Sequence, residues 1–185
     1  MPNVKKGLMG AAGAGGAGDQ LYTWGAGTLA QLPEGAGTKV SRSSPIQITG
    51  PGSAPGTTGV TGARPWTNAS LSGFVISEGN MYAWGHQTNG ILANNGATTS
   101  DGTTVTKSSV VQVGSLTDWG TTCKIRGSNN MVFALKPDGT LWGWGQNRFG
   151  ALGVNVDPAV TYSFSSPVQV ATGVADFGVA RYRAA

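Results

Sequence analysis

His86 and Cys123 are the single histidine and the single cysteine of this 185-residue sequence, and a nucleophile–base pair could be drawn only from them. Such a dyad needs a third group to orient the imidazole and a thiol of lowered pKa. His86 follows Trp84-Gly85 at a place where an amide side chain would serve equally, which favours a hydrogen-bonding loop residue over a general base. One histidine and one cysteine also fall short of an ordinary zinc site. Asp118 and Asp176 stand at matching places of a repeat described below, so they read as turn or cap residues rather than as paired catalytic carboxylates. The glycine-rich stretch near the N-terminus lacks the Lys-Ser or Lys-Thr ending of a phosphate-binding loop. These residues predict no catalytic centre, no metal site and no cofactor; the expected class is non-enzymatic.

Charge and composition narrow the class further. Twelve Lys and Arg against eight Asp and Glu leave a net charge of +4, with the basic residues scattered except for Lys5-Lys6 and Arg181-Tyr182-Arg183. That distribution offers no stripe for a phosphate backbone, and no nucleic-acid partner is expected. No apolar run reaches the roughly 18 residues that a membrane-spanning helix needs. The first residues have two lysines and then an uncharged stretch, but its glycine content defeats the apolar helix of a signal peptide. A lone cysteine makes no intrachain disulfide, so a reducing compartment and a core thiol are expected. With 31 Gly and 9 Pro a helical bundle is excluded, while 6 Trp, 4 Tyr and 5 Phe can build a core from few anchors.

The elements that position these residues come from an internal repeat. Leu21-Tyr22-Thr23-Trp24-Gly25, Met81-Tyr82-Ala83-Trp84-Gly85 and Leu141-Trp142-Gly143-Trp144-Gly145 place their tryptophans 60 residues apart. Ser43-Ser44-Pro45-Ile46-Gln47-Ile48, Ser108-Ser109-Val110-Val111-Gln112-Val113 and Ser165-Ser166-Pro167-Val168-Gln169-Val170 form a second motif. Pro65-Trp66, Asp118-Trp119 and Asp176-Phe177 form a third. Each motif reads as a strand. In the Trp-Gly strands Tyr22 and Trp24, Tyr82 and Trp84, and Trp142 and Trp144 fall on one bulky face, the expected blade core. Apolar runs Phe74-Val75-Ile76 and Val132-Phe133-Ala134-Leu135 precede two of them across turns at Glu78-Gly79-Asn80 and Lys136-Pro137-Asp138-Gly139. Each period therefore holds about four short strands, the size of one propeller blade.

Asp138-Gly139-Thr140-Leu141-Trp142-Gly143-Trp144-Gly145-Gln146-Asn147-Arg148-Phe149-Gly150-Ala151-Leu152-Gly153, with Pro167 and Val170 after it, resembles the regulator-of-chromosome-condensation-type repeat. The resemblance covers residues 19 to 185 and implies a β-propeller. The expected fold is all-β and propeller-like, with three blades of about four short antiparallel strands. The third blade is split between the termini: the chain stops at Arg181-Tyr182-Arg183-Ala184-Ala185, and the missing Trp-Gly strand lies at Leu21 to Trp24. Three blades are fewer than the 4 to 8 that close a ring. The open edges predict a homo-oligomer or a scaffold protein. The family's guanine-nucleotide exchange on a small GTPase is not carried over, because no exchange residue matches.

Residues 1 to 18 read as a Gly/Ala-rich arm, with Val4, Leu8 and Met9 as anchors and Lys5 and Lys6 for an acidic neighbour. Its opening, Lys-Lys-Gly-Leu-Met-Gly-Ala-Ala-Gly, is similar to that of short repeat-bearing virion proteins of tailed bacteriophages. The similarity implies a structural protein of the particle, a capsid decoration or tail component, with itself and other virion proteins as partners. The loops Gly50–Gly62, Ala93–Lys107 and Val154–Phe164 vary in length at what read as equivalent places, hence on one face, where a host glycan or receptor could bind. An adhesive or carbohydrate- or protein-binding propeller module is the alternative reading, with a cytoplasmic location as the alternative to the virion and a guanine-nucleotide exchange-type regulator as a remote alternative.

Overall fold

Alternating bulky and small residues extend each Trp-Gly segment, and the glycine after the tryptophan then bends it. Gly25, Gly85 and Gly145 take φ of 113°, 104° and 95°, a backbone that L side chains rarely adopt. A Cβ at Gly145 would also strike the Asn130 carbonyl. The computed structural model describes residues 22–25, 32, 40–48, 66–69, 72–96, 106–128 and 130–179.

Among these residues ten strands follow one another: β1 (Tyr22–Gly25), β2 (Arg42–Gln47), β3 (Trp66–Ala69), β4 (Ser72–Ser77), β5 (Asn80–His86), β6 (Thr106–Gln112), β7 (Lys124–Ser128), β8 (Met131–Leu135), β9 (Leu141–Gln146) and β10 (Ser163–Ala171). They pair antiparallel in sequence order into sheet I (β1–β2), sheet II (β3 to β6) and sheet III (β7 to β10). The hairpins follow from their turn residues. Glu78 and Gly79 both have positive φ, as a two-residue type I′ turn requires. At Pro137-Asp138-Gly139 the Gly139 N–H donates to Lys136 O at 3.0 Å, and the Asp138 carboxylate accepts the Thr140 N–H at 2.9 Å.

The three copies share one register. Tyr22 opposes Gln47, Tyr82 opposes Gln112 and Trp142 opposes Gln169; each pair of strands then slips by a bulge before Gly25 meets Arg42, Gly85 meets Lys107 and Gly145 meets Phe164. Sheet II is apolar on both faces. Phe74, Ile76, Met81 and Ala83 cluster with Val132, Ala134 and Trp144 of sheet III. Val75, Trp84 and Val110 cluster with Ile48, which follows β2. Trp144 lies 6.1 Å from Phe74 and 6.0 Å from Trp119, tilted against both rings as aromatic pairs prefer. On the far side of sheet III, Phe133, Leu135 and Leu141 are buried with Val170, Val174 and Phe177 over them.

Two expectations need correction. The third motif does not recur as strands: β3 begins at Trp66, opposite Val75, where Ile125 stands opposite Ala134 in sheet III. Trp119 and Phe177 instead lie in the irregular segments that leave sheets II and III. From that irregular backbone Trp119 packs against Trp142 and Trp144, and Phe177 packs against Phe133. The loops are not equivalent either. Ala93–Lys107 and Val154–Phe164 each join the third and fourth strands of a sheet, whereas Gly50–Gly62 joins sheet I to sheet II. The arm of residues 1 to 18 and the C-terminal part of the split blade at Arg181–Ala185 lie outside the described residues.

Trp84 and Trp144 are fully buried, whereas Trp24, Tyr22, Tyr82 and Trp142 are half-buried. Trp144→Ala is therefore expected to cost about 3–5 kcal/mol in denaturant unfolding, and Trp24→Ala clearly less. Equal losses would contradict the placement of Trp144 between sheets.

Candidate interaction surface

Beyond the Trp-Gly bulge, sheets II and III each run into a loop pinned by a buried amide. Asn147 is fully enclosed: its Nδ2 donates to Thr161 O at 3.2 Å and Val156 O at 3.4 Å, and its Oδ1 accepts the Leu152 N–H at 3.3 Å. Gln87 holds the corresponding place in sheet II, donating to Asn94 Oδ1 at 3.0 Å, which also accepts the Gly96 N–H at 3.0 Å. The loops then trace one path. Positive φ occurs at Asn89, Gly90, Ala93 and Asn95 (56°, 71°, 48° and 55°) and again at Phe149, Gly150, Gly153 and Asn155 (58°, 71°, 69° and 52°).

Their surroundings differ. The Thr88–Asn95 loop lies under β9 and β10: Trp144 Nε1 donates to Ile91 O at 2.9 Å, and the Asn95 N–H donates to Ser165 O at 3.0 Å. A Cβ on Gly90 would stand 2.8 Å from both Phe164 O and Ser165 Cα. Among the described residues the Arg148–Asn155 loop has no pair of strands over it and is more exposed. Asn89 is 6 % exposed and its counterpart Phe149 is 66 % exposed, with the Arg148 guanidinium 4.9 Å from the Phe149 ring centroid. A bulky side chain in the left-handed region is strained, and Phe149 gains little burial in exchange. Val156, Tyr162 and Val160, the last 80 % exposed, extend the apolar surface along the same connection.

The titratable residues singled out in the sequence are dispersed. His86 sits at the end of β5, its ring nitrogen 2.9 Å from Thr88 Oγ1 and its carbonyl accepting from Ser72 Oγ at 2.6 Å. Cys123 is buried in the core between sheets II and III, and burial pushes its thiol up to about 12, away from the thiolate. Asp118 and Asp176 serve as charge partners rather than as turn residues alone. Asp176 accepts the Phe177 N–H at 2.9 Å and pairs with Lys124 at 3.3 Å and Arg126 at 3.2 Å. Asp118 meets Lys136 Nζ at 2.6 Å, and that ammonium lies 5.1 Å and 5.0 Å from the ring centroids of Trp119 and Trp142. Asn147, Phe149 and Lys136 had escaped the sequence reading. The replacement of Asn89 by Phe149 at one repeat position was the available signal for the exposed loop.

No protein-family model matches the chain, and no curated protein matches it. Solved structures do. Prp20p of Saccharomyces cerevisiae is 13 % identical with a TM-score of 0.62, the match covering 84 % of this chain and 35 % of that one. Yeast RCC1 (Prp20), solved bound to Kap60, is 13 % identical with a TM-score of 0.61 over 84 % of this chain and 34 % of its own. Human WBSCR16 is 13 % identical with a TM-score of 0.57 over 83 % and 35 %. The fold is RCC1-like. Sheets II and III are thus blades of an RCC1-like propeller, sheet I is part of another, and the chain spans about a third of the length of these structures.

Two measurements address the RCC1-like loops. Asn147→Ala strands enclosed donors and acceptors and is expected to cost about 1–3 kcal/mol, with faster hydrogen exchange at the Leu152 amide; unchanged exchange would contradict the anchoring role. Burial lowers the His86 pKa below its usual 6.5. The unfolded state therefore holds that proton more tightly, and the stability contributed by the neutral ring is complete above 6.5 and is lost as pH falls through the folded value. His86→Gln, which copies Gln146, is expected to flatten that fall in the urea midpoint; an identical fall in both proteins would assign the titration elsewhere.

Proposed function

We propose that this chain is a non-catalytic, protein-binding propeller segment that serves as a structural component of a bacteriophage particle, as a capsid decoration or tail-associated protein. The Gly/Ala-rich arm, with Val4, Lys5, Lys6, Leu8 and Met9, mounts it on a neighbouring virion protein, and its blade edges self-associate. The observation that carries the binding role is the uncovered apolar loop of sheet III, where Phe149 is held in a strained backbone and left 66 % exposed. Protein binding is in keeping with the RCC1-like neighbours: Prp20p was studied for its binding to Gsp1p and histones, and yeast RCC1 was crystallised with Kap60. The virion assignment rests on the opening of the arm and its similarity to short phage proteins that carry such repeats.

Mass spectrometry of gradient-purified particles is expected to find the full chain at a fixed ratio to the major capsid or tail protein. A version lacking residues 1 to 18 should fold yet be missing from the particles. Full chain confined to the soluble lysate would overturn the virion role, and equal incorporation of the truncated chain would overturn the role of the arm.

A further inference from the structure

The Arg148–Asn155 loop of sheet III is exposed where its counterpart in sheet II is buried, and the same sequence holds a second copy of the two strands that cover the latter. The Thr88–Asn95 loop receives β9 and β10 through the Trp144 indole and the backbone of Phe164 and Ser165. Those two strands recur in β1 and β2. Trp24 stands for Trp144, Ser43-Ser44-Pro45-Ile46-Gln47-Ile48 stands for Ser165-Ser166-Pro167-Val168-Gln169-Val170, and the pairing register and the bulge are the same. Exposure separates the two copies: Ser165, Ser166 and Pro167 are half-buried, whereas Ser43, Ser44 and Pro45 are exposed. Likewise Ile91 is buried beneath Trp144, whereas its counterpart Ala151 is exposed.

Building on the self-association in the reading above, we propose that sheet III and its Arg148–Asn155 loop receive sheet I of a second copy of this chain, head to tail. The chain's own sheet I does not reach that surface, because Ile48 packs with Val75 and Trp84 on the opposite face of sheet II. The new joint continues the joint that already exists between sheets II and III. In it the Trp24 indole N–H of one copy meets the Ala151 carbonyl of the other, the Asn155 N–H meets Ser43 O, and Gly150 closes on the backbone of Arg42 and Ser43. Phe149 lies inside this contact, which accounts for its tolerated exposure and strain in the single chain. Such an interface is heterologous, so it closes into a ring or extends. Two copies bring six sheets, within the range of about four to eight blades that propellers use.

Crosslinking of the full chain tests the orientation. Ser43→Cys and Asn155→Cys, made as separate proteins with tags of different size, are mixed under mild oxidation. Cys123 is buried with a raised pKa and serves as the unreactive background, checked with the unsubstituted chain. A disulfide-linked heterodimer in the mixture, with no link in either protein alone, is the expected result. No link in the mixture, or an Asn155→Cys homodimer in equal yield, overturns the head-to-tail joint.

Light scattering supplies the second arm. Phe149→Asp is expected to convert the oligomer to a monomer that still unfolds cooperatively, with a urea midpoint that no longer depends on protein concentration, and an unchanged mass overturns the proposal. A full chain that is monomeric at high concentration also overturns it. Both arms use purified chain, so particle incorporation together with a monomeric mass fails this inference alone, and a crosslinked oligomer absent from particles fails the virion role alone.

Discussion

A four-stranded sheet with apolar side chains on both faces is stable only between two neighbours, and that requirement governs this molecule. Sheet II shows it satisfied: Phe74, Ile76 and Met81 are buried toward sheet III, and Val75, Trp84 and Val110 toward Ile48. Trp84 and Trp144 are the wedges in those contacts, and small residues make room for them. Gly73, directly across from Trp84 in β4, has no Cβ to collide with the indole. The glycine after the tryptophan then turns the chain into a loop that the next sheet can cover. Fold, loop conformation and joint between sheets are in this sense one device repeated.

Much of that device was legible because its signals are local. Period-two alternation around Trp24, Trp84 and Trp144 marked three strands, and Glu78-Gly79 and Asp138-Gly139 marked the hairpins that feed two of them. The misreadings arose where spacing alone had to stand for topology. Trp66 and Trp119 share size and sequence context, yet one begins a strand and the other bridges two sheets. Gly50–Gly62 resembles the other variable loops in composition but belongs to a different connection. Asp118 and Asp176 do share a repeat position, but their cations, Lys136 of the turn after β8 in one case and Lys124 with Arg126 of β7 in the other, are brought near only by the folded chain. Phe149 differs from Asn89 at one repeat position, and its exposure follows from the packing of the two loops among the described residues: one lies under β9 and β10, the other does not.

Lys136 illustrates how a charge can be held at such a joint. A desolvated ammonium is costly on its own. Here the carboxylate of Asp118 and the faces of Trp119 and Trp142 surround it, with the side chain 4 % exposed. Trp119 comes from the segment leaving sheet II and Trp142 from β9, so the cation fixes how the two sheets sit against each other. Its contribution is to orientation more than to net stability, since the pair's attraction is offset by the desolvation of the enclosed ammonium, while Asp118 itself stays exposed.

Sheets II and III are each built from one uninterrupted stretch of chain, strand following strand in sequence order. Most pairings therefore close short loops, and little entropy is spent before the first hydrogen bonds form. Cooperativity passes from sheet to sheet as in a linear array of units, each coupled to the next. Sheet II, the unit coupled on both sides, is the natural nucleus, and the outer sheets are the places where such an array frays first. An added unit at either end would then act kinetically, slowing the opening of the whole by removing a free end.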